Sequence, residues 1–264
     1  MSEPSYRRLV LANVLSSHEA LQLRQERKGM TSWVTQLARK VWFRQGTTRT
    51  CFMGPYAGLA FEIGPQMLPR LIVFCDAYEP EVTALLEQVL RPGMVAYDVG
   101  AHVGIHALYM AKLLRPHGIV YAFEPWRANY ECLVRNVARN QRRVAEIVPV
   151  PSAVVAHGGV VRLTPGVGDG QHHVSLNGEW GEDVVGTTLD RFWAQTRTPP
   201  TLLLVDVEGQ ELNVMRGAEE LLSKCHPKLI LEHHGRGRCA ELEAWLAARG
   251  YTVHELGPRH LYAE

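Results

Sequence analysis

The sequence predicts an α/β fold in which a mostly parallel sheet carries helices on both faces. Three observations favour this class. Apolar β-like runs alternate with helical periodicity from residue 94 to residue 250, which is typical of parallel strands joined by helices. The first run is followed by a glycine-rich turn, a helix and a second run, the unit that opens a nucleotide-binding sheet. Of the 264 residues, 46% are hydrophobic and 21% are charged, so the chain can bury the core that such a domain needs.

The chain is predicted to divide after residue 77. Residues 1–77 form a helical and β-stranded extension, a candidate region for substrate binding or for a homodimer contact. Within it, residues 5–45 have helical periodicity and residues 47–75 are β-like and rich in turns. Residues 1–50 carry nine Lys or Arg and three acidic residues. This charge either attracts an anionic substrate or carrier or belongs to a solvated helix face.

The elements of residues 78–264 follow a regular order. Pro80 opens a helix that ends at Pro92-Gly93. The predicted core strands cover residues 94–97, 119–123, 147–150, 202–205 and 228–231, and residues 252–256 and 260–263 form a terminal hairpin-like pair. The helix after Trp126 carries the strongest amphipathic signal, an apolar face of Tyr130, Leu133, Val134 and Val137.

Two segments between the third and fourth core strands are predicted to be irregular or β-hairpin in form. Residues 154–155 and 160–163 are expected to pair as a hairpin around His157-Gly158-Gly159. Residues 165–186 contain six glycines and form a long loop, which is interpreted as a lid or a disordered segment.

The glycine turn indicates which nucleotide the sheet would bind. Gly100 and Gly104 are four residues apart, and His102 stands where a dinucleotide-binding loop needs its second glycine. No Gly-Lys-Ser/Thr follows, so a P-loop is excluded. Glu124 ends the next strand, where a carboxylate can accept hydrogen bonds from a ribose diol. The pattern favours a nucleoside without a pyrophosphate, such as S-adenosylmethionine, although an ordinary βαβ unit with a glycine turn is the structural alternative.

Acidic and histidine side chains gather at the carboxyl ends of later strands. Asp206 and Glu208 follow the fourth core strand, and Glu232-His233-His234 follow the fifth. The candidate catalytic residues are Asp206, Glu208, His233 and His234, any of which could take a proton from a substrate hydroxyl. A divalent metal held by Asp206, Glu208 and His233 is a less favoured alternative. Asp206 and Glu208 could instead cap the following helix.

Five short motifs, in order and at fitting intervals, resemble the FkbM family of S-adenosylmethionine-dependent methyltransferases. They are Tyr78-Glu-Pro-Glu81, Asp98-Val-Gly-Ala-His-Val-Gly104, Phe123-Glu-Pro125, Thr188-Leu-Asp190 and Val205-Asp-Val-Glu-Gly209. The resemblance covers residues 78–235. It implies a class I methyltransferase (Rossmann-like) sheet of seven strands, the last antiparallel. It also implies O-methylation of a hydroxyl on a sugar, a polyketide or a related natural product.

The resemblance also implies roles for individual residues. The methionyl part of the cofactor would contact Asp98, Gly100, Ala101 and Gly104, with Asp206 nearby, while Glu124 would bind the ribose and Ser152-Ala153 the adenine edge. The whole candidate cofactor set is Tyr78, Asp98, Gly100, Ala101, His102, Val103, Gly104, Glu124, Pro125, Ser152, Ala153 and Asp206. His102 departs from the asparagine common in the family.

The sequence therefore predicts an O-methyltransferase that transfers a methyl group directly, with help from a base, to a small or medium hydroxylated substrate that a carrier could present. A binding or scaffold protein on the same fold is the alternative. No basic cluster with interleaved aromatics indicates nucleic-acid binding, and no apolar run is long enough to span a membrane. The five cysteines lack metal-site spacing, which fits a cytoplasmic protein with reduced thiols.

Overall fold

The computed structural model describes residues 46–64, 78–165, 172–175, 181–233 and 236–264. The helices predicted for residues 5–45 and the β-like run at residues 71–74 lie outside these ranges. Among the described residues, no helix has the length and apolar character that a membrane span requires.

The described residues form thirteen strands and seven helices. The strands are β1 (Thr47–Thr50), β2 (Ala60–Ile63), β3 (Val95–Val99), β4 (Ile119–Phe123), β5 (Glu146–Val150), β6 (Ala153–Val154), β7 (Gly159–Pro165), β8 (His172–Ser175), β9 (Glu182–Thr187), β10 (Leu202–Val205), β11 (Lys228–Glu232), β12 (Val253–Glu255) and β13 (His260–Ala263). The helices are α1 (Pro80–Val89), α2 (Ile105–Leu113), α3 (Arg127–Asn140), α4 (Leu189–Thr196), α5 (Glu211–Arg216), α6 (Glu219–Cys225) and α7 (Arg236–Ala247).

Seven strands form the central sheet in the order β12-β13-β11-β10-β3-β4-β5. The pairs from β11 to β5 are parallel, whereas β13 runs antiparallel to both of its neighbours. The predicted fold class and the antiparallel last strand are confirmed. Strand β10 lies beside β3, with Val205 opposite Val99, so the chain order reverses between these two strands. Ligands of open α/β sheets bind at such a reversal.

The sheet is buried on both faces because its strands are apolar almost throughout. On one face, Tyr97, Val99, Leu203 and Val205 join a core that includes Met215 of α5, Leu222 of α6 and Leu246 of α7. The other face carries the small side chains of Ala96 and Ala122, and Ala107 and Leu108 of α2 are buried there. Burial of this apolar area is the main contribution to the stability of the sheet.

The prediction for the buried face of α3 was wrong in part. Val134 is 39% exposed, whereas Asn136 and Asn140 are fully buried together with Cys132 and Leu133. Asn140 exchanges two hydrogen bonds with the backbone of Ala60, at 2.9 and 2.7 Å. These asparagines form hydrogen bonds with the backbone groups of Ala60 and Glu62 along one edge of strand β2. Without them, those backbone groups would lack partners.

The segments between β5 and α4 also differ from the prediction. Strands β6 and β7 do not pair with each other, since both pair with β9 in a four-stranded sheet of order β6-β9-β7-β8. The predicted loop at residues 165–186 thus contains β8 and β9, and residues 166–171 and 176–180 lie outside the described part of the chain. The apolar residues of β9 are only Val184 and Val185, which are adjacent, and Val185 is 62% exposed, so the strand lacks the alternating apolar pattern by which a sequence reveals a strand.

Candidate functional site

The glycine turn after β3 is held between the two neighbouring strands. The amides of Gly100 and Ala101 donate to the carbonyl of Phe123, at 3.0 and 2.9 Å. Gly100 has φ +91° and Gly104 has φ +88°, a region that glycine adopts without strain. A side chain at Gly100 would clash with the carbonyl oxygen of Asp206. The turn therefore passes directly over the end of β10.

Glu124 fixes the other side of this turn. Its Oε2 accepts a hydrogen bond from the amide of His102 at 2.8 Å, and its Oε1 accepts one from the amide of Trp126 at 2.8 Å. The side chain is 5% exposed, and burial raises its pKa to about 7, although the two amides oppose the shift. This carboxyl group links the glycine turn to the end of β4.

A cleft of about 730 Å³, open to solvent, lies between Glu124 and β10. We call it the outer cleft. It is lined by Val99, Gly100, His102, Phe123, Glu124, Pro125, Asn129, Ser152, Ala153, Val154, Leu163, Asp206, Val207, Glu208 and Gln210.

A second hollow of about 330 Å³, the inner cleft, lies on the α2 side of the glycine turn. It is lined by Tyr78, Asp98, Gly100, Ala101, His102, Ile105, His106, Leu204 and Asp206. Gly100, His102 and Asp206 belong to both clefts. The two hollows thus lie on either side of the same turn.

Buried carboxyl groups give the inner cleft an acidic character. Burial and the nearby carboxylate of Asp206 raise the pKa of Asp98 to about 7, and the Asp98 Oδ2 is buried without a hydrogen-bond partner. Burial, followed by the charge of Glu232, raises the pKa of Asp206 well above its usual value. A positively charged ligand group would find a complementary environment here.

Glu79, the N-cap residue of α1, adds a further carboxylate to this acidic group and is paired with histidines and an arginine. Its Oε2 lies 2.7 Å from Nε2 of His106 and 3.7 Å from Nε2 of His260. Burial alone would raise the pKa of Glu79, but these imidazoles and Arg259 hold it at about 2. Burial alone would lower the pKa of His106, but the same carboxylate raises it. Glu79 also adopts φ +42°, a strained backbone conformation that is often found at functional sites.

The structure brings most of the candidate cofactor residues to these two clefts. Tyr78, Asp98 and Ala101 line the inner cleft, while Glu124, Pro125, Ser152 and Ala153 line the outer cleft. Val103 and Gly104 line neither. The carbonyl of Val103 accepts a hydrogen bond from Nδ2 of Asn136 at 2.9 Å, and Gly104 forms the N-terminal cap of α2.

The four candidate catalytic residues are not brought to one place. Asp206 and Glu208 line the outer cleft, whereas His233 lines a separate cleft beside α5. His234 lies outside the described residues. The N-cap residue of α5 is Gln210, so Asp206 and Glu208 both precede the cap, and Oε1 of Glu211 accepts a hydrogen bond from the amide of Gly209 at 2.8 Å.

The less favoured metal set of Asp206, Glu208 and His233 is likewise spread over two clefts. In the described part of the chain, the three acidic or histidine residues whose ligand atoms lie within 4.8 Å of one another are Glu79, Glu232 and His260. Arg259 Nη1 lies 2.8 Å from Oε1 of Glu232, so a protein cation already neutralises part of that group.

Sequence reasoning missed several residues that line the outer cleft. Asn129 is in the first turn of α3, five residues after Glu124, and its nearness to that motif was a usable signal. Leu163 reaches the cleft from β7. No local pattern could place Leu163, because its position depends on the pairing of β7 with β9.

Comparison with known proteins identifies the family to which this chain belongs. The family model described as the methyltransferase FkbM domain matches residues 98–253. The hexuronic acid methyltransferase AglP of Haloferax volcanii is 24% identical over 206 residues, which are 76% of this chain and 82% of AglP. The 31-O-demethyl-FK506 methyltransferase FkbM of Streptomyces tacrolimicus is 29% identical over 198 residues, which are 62% of this chain and 75% of that protein.

A solved structure shows the same fold. The crystal structure of methyltransferase FkbM from Methylobacillus flagellatus aligns with a TM-score of 0.50 and 16% sequence identity. The alignment covers 77% of this chain and 56% of that chain, so this protein spans little more than half the length of that relative. The family model matches more than half of the sequence, and the order of the central sheet and the glycine turn over β10 agree with it. The chain therefore belongs to the FkbM family of methyltransferases, enzymes that depend on S-adenosylmethionine.

Proposed function

We propose that this enzyme methylates a hydroxyl oxygen on a sugar or on a polyketide-type natural product. The observation that carries the proposal is that the Glu124 carboxyl group and the tight turn at Gly100 line the same outer cleft. The Gly100 backbone lies against the carbonyl of Asp206, which lines this cleft as well. This pairing of an acid with a tight backbone turn is what a nucleoside donor requires. It also leaves the end of β10 available to an acceptor.

The residues of the two clefts fit S-adenosylmethionine. Glu124 would accept hydrogen bonds from the ribose hydroxyls, and Phe123, Ser152 and Ala153 would surround the adenine. The acidic inner cleft, with the unpartnered Oδ2 of Asp98, suits the amino-acid end, which carries an ammonium group. When bound, the cofactor supplies an electrophilic methyl group on its sulfonium.

In this proposal Asp206 is the base. Its Oδ1 is buried without a hydrogen-bond partner, and its side chain belongs to both clefts. The burial and the neighbouring Glu232 that raise its pKa make it a better proton acceptor than an ordinary aspartate. The proton of the acceptor hydroxyl would pass to Oδ1 of Asp206 as the oxygen attacks, and Glu208 on the same wall would orient the hydroxyl.

The name of one relative supports oxygen as the methylated atom. One is named a hexuronic acid methyltransferase, and the name of the other gives an oxygen as the position that lacks its methyl group. One name therefore concerns a sugar acid, and the other concerns the compound FK506. Both are compatible with a polar acceptor above β10.

Isothermal titration with S-adenosylhomocysteine, the demethylated cofactor, tests the donor half of the proposal. Wild type is expected to bind with one site, and Glu124→Ala is expected to bind at least about tenfold more weakly because the ribose loses its charged acceptor. Glu131→Gln on the exposed side of α3 is the matched control and should bind like wild type. Absence of binding by wild type would refute the proposal.

Incubation with radiolabelled cofactor and a panel of hydroxylated sugars and macrolides tests the acceptor half. Transfer of label to an oxygen, lost in Asp206→Asn, is the expected result. Cofactor binding without transfer to any acceptor would instead favour a binding or scaffold role.

A further inference from the structure

A third cavity lies beside the outer cleft. We call it the side cleft. It has a volume of about 700 Å³, opens to solvent, and runs between α5 and α7 from the carboxyl end of β11. Gln210 lines both the side cleft and the outer cleft. A molecule in the side cleft would therefore lie next to the wall that carries Asp206 and Glu208.

Most of the residues that line the side cleft have polar side chains. It contains two leucines and no aromatic residue among the described residues, against two amides, two acids, an arginine and a histidine. Pockets for flat or apolar ligands are lined mainly by apolar and aromatic side chains. This cleft instead presents mixed donors and acceptors, which suit a ligand with many hydroxyl groups.

Two amides on one turn of α5 are arranged to bind such a ligand. Nδ2 of Asn213 donates to Oε1 of Gln210 at 2.7 Å. This bond orients both side chains and leaves the Asn213 carbonyl as an acceptor and the Gln210 nitrogen as a donor. A hydroxyl group both donates and accepts, so adjacent hydroxyls of a sugar ring can engage both amides.

His233 faces the same cleft with an unused nitrogen. Its backbone amide donates to the carbonyl of Arg259 at 2.7 Å, so the position of the residue is fixed. Its Nδ1 is buried without a hydrogen-bond partner. Buried polar atoms are usually satisfied, and a ligand hydroxyl in the side cleft would satisfy this one.

Arg216 and Glu241 of the side cleft can also form hydrogen bonds with ligand hydroxyl groups. Nη2 of Arg216 is 3.8 Å from Oε1 of Glu241, too far for a hydrogen bond. Both side chains are at least half exposed, so each can turn towards a ligand. Glu211 is already engaged with the backbone of Gly209 and shapes the loop that separates the two clefts.

We propose that the side cleft binds the acceptor of this enzyme and that the acceptor presents a sugar ring with free hydroxyl groups to Gln210, Asn213 and His233. The proposal rests on the proposed methyltransferase function and narrows its acceptor to a carbohydrate unit. The hydroxyl that is methylated extends from this ring into the outer cleft, where Asp206 takes its proton as the methyl–oxygen bond forms and the methyl–sulfur bond breaks.

Saturation-transfer NMR tests the proposal. The sample is the full chain with its donor site filled by excess S-adenosylhomocysteine. The probes are methyl hexopyranosides, methyl 6-deoxyhexopyranosides and methyl hexuronides, with 2-naphthol as an aromatic comparator. At least one glycoside is expected to receive saturation and to shift the His233 imidazole signals. In Asn213→Leu and His233→Phe its Kd is expected to rise at least about fivefold, as for the loss of one hydrogen bond.

The controls separate this proposal from the function on which it rests. Glu220→Gln, on the exposed side of α6, should bind the glycoside like wild type, and all variants should bind S-adenosylhomocysteine within twofold of wild type. Cofactor binding without binding of any glycoside would overturn the sugar assignment and leave the donor site standing. Glycoside binding that Asn213→Leu and His233→Phe leave unchanged would overturn the location.

Discussion

The backbone of Gly100 passes so close to the carbonyl oxygen of Asp206 that no side chain fits between them. The contact follows from the pairing of β3 with β10, which sets Val99 opposite Val205 and brings the two strand ends together. One backbone contact thus fixes the position of Gly100 relative to Asp206, the proposed base.

Replacing Gly100 by alanine is expected to damage both folding and cofactor binding. The new Cβ would clash with the Asp206 backbone, which cannot move without disturbing β10. Gly93→Ala is the matched control, because Gly93 has a similar φ of +85° but open space around its Cα. Urea unfolding should show that Gly100→Ala costs about 2 kcal/mol or more beyond the control. Equal losses in the two variants would mean that φ alone, and not the contact, requires glycine.

Glu124 is expected to make the protein less stable as pH rises through the weakly acidic range. Its pKa is about 7 in the folded chain against an ordinary value of 4.5. The folded state therefore holds this proton more tightly, and stability falls between about pH 4.5 and 7. At about 1.4 kcal/mol for each pH unit, the cost is of order 3 kcal/mol. Asp98 acts in the same direction.

Urea unfolding of wild type and Glu124→Gln at several pH values measures this effect. The amide cannot ionise, so the variant should lose less stability than wild type between pH 5 and 8. Glu131→Gln should follow the wild-type curve. Parallel curves for wild type and Glu124→Gln would show that the Glu124 carboxyl is ionised throughout this range.

Glu79 is expected to control the protonation of His106. The carboxylate 2.7 Å from Nε2 is the main group that raises the His106 pKa. In Glu79→Gln the pKa of His106 should fall below its wild-type value, because burial then acts with less opposition. NMR titration of the histidine side chains measures this. Glu81→Gln is the control, since Glu81 lies 3.6 Å from Nδ1 of His260 instead. An unchanged His106 pKa in Glu79→Gln would contradict the assignment.

Asp190 is expected to stabilise the fold without contributing to binding. Its carboxylate accepts hydrogen bonds from the amides of Glu220 and Leu221, at 3.0 and 2.7 Å, at the start of α6. Asp190→Ala should cost about 1 kcal/mol in urea unfolding, as for the loss of a helix cap, and should leave the affinity for S-adenosylhomocysteine within twofold of wild type. A large loss of affinity would instead place this motif residue in the donor site.

The sequence was sufficient to predict the central sheet because its signals are local. Four of the five predicted core strands are short apolar runs followed directly by an acidic residue, and the turn between β3 and α2 is defined by glycine spacing. The same reasoning placed Glu124 beside the glycine turn, where the structure has it. The order of strands follows from the doubly wound topology, so few alternatives remained once the strands were identified.

Features that depend on distant pairing could not be predicted in the same way. The position of β9 between β6 and β7 is set by partners across the small sheet, whereas the local pattern of those two strands suggested that they pair with each other. The buried face of α3 was misassigned because asparagines count as polar in a periodicity analysis. Asn136 and Asn140 are buried because they replace a missing strand for β2, which the helix sequence alone does not reveal.

Asn136 is expected to couple the β2 edge to the donor turn. Its Oδ1 accepts a hydrogen bond from the amide of Glu62 at 2.8 Å, and its Nδ2 donates to the carbonyl of Val103 at 2.9 Å. Asn136→Ala leaves both groups unpaired, at a cost of order 3 kcal/mol. Asn140→Ala should cost a similar amount, since it leaves both backbone groups of Ala60 unpaired. The two variants are expected to differ in binding. Asn136→Ala frees the glycine turn at Val103 and should weaken the binding of S-adenosylhomocysteine about tenfold in isothermal titration. Asn140→Ala removes bonds to Ala60 and to the Asn136 carbonyl but leaves the bond to Val103 in place, so it should bind like wild type. If both variants lost affinity equally, the effect would be general loosening of α3, and the specific link through Val103 would be wrong.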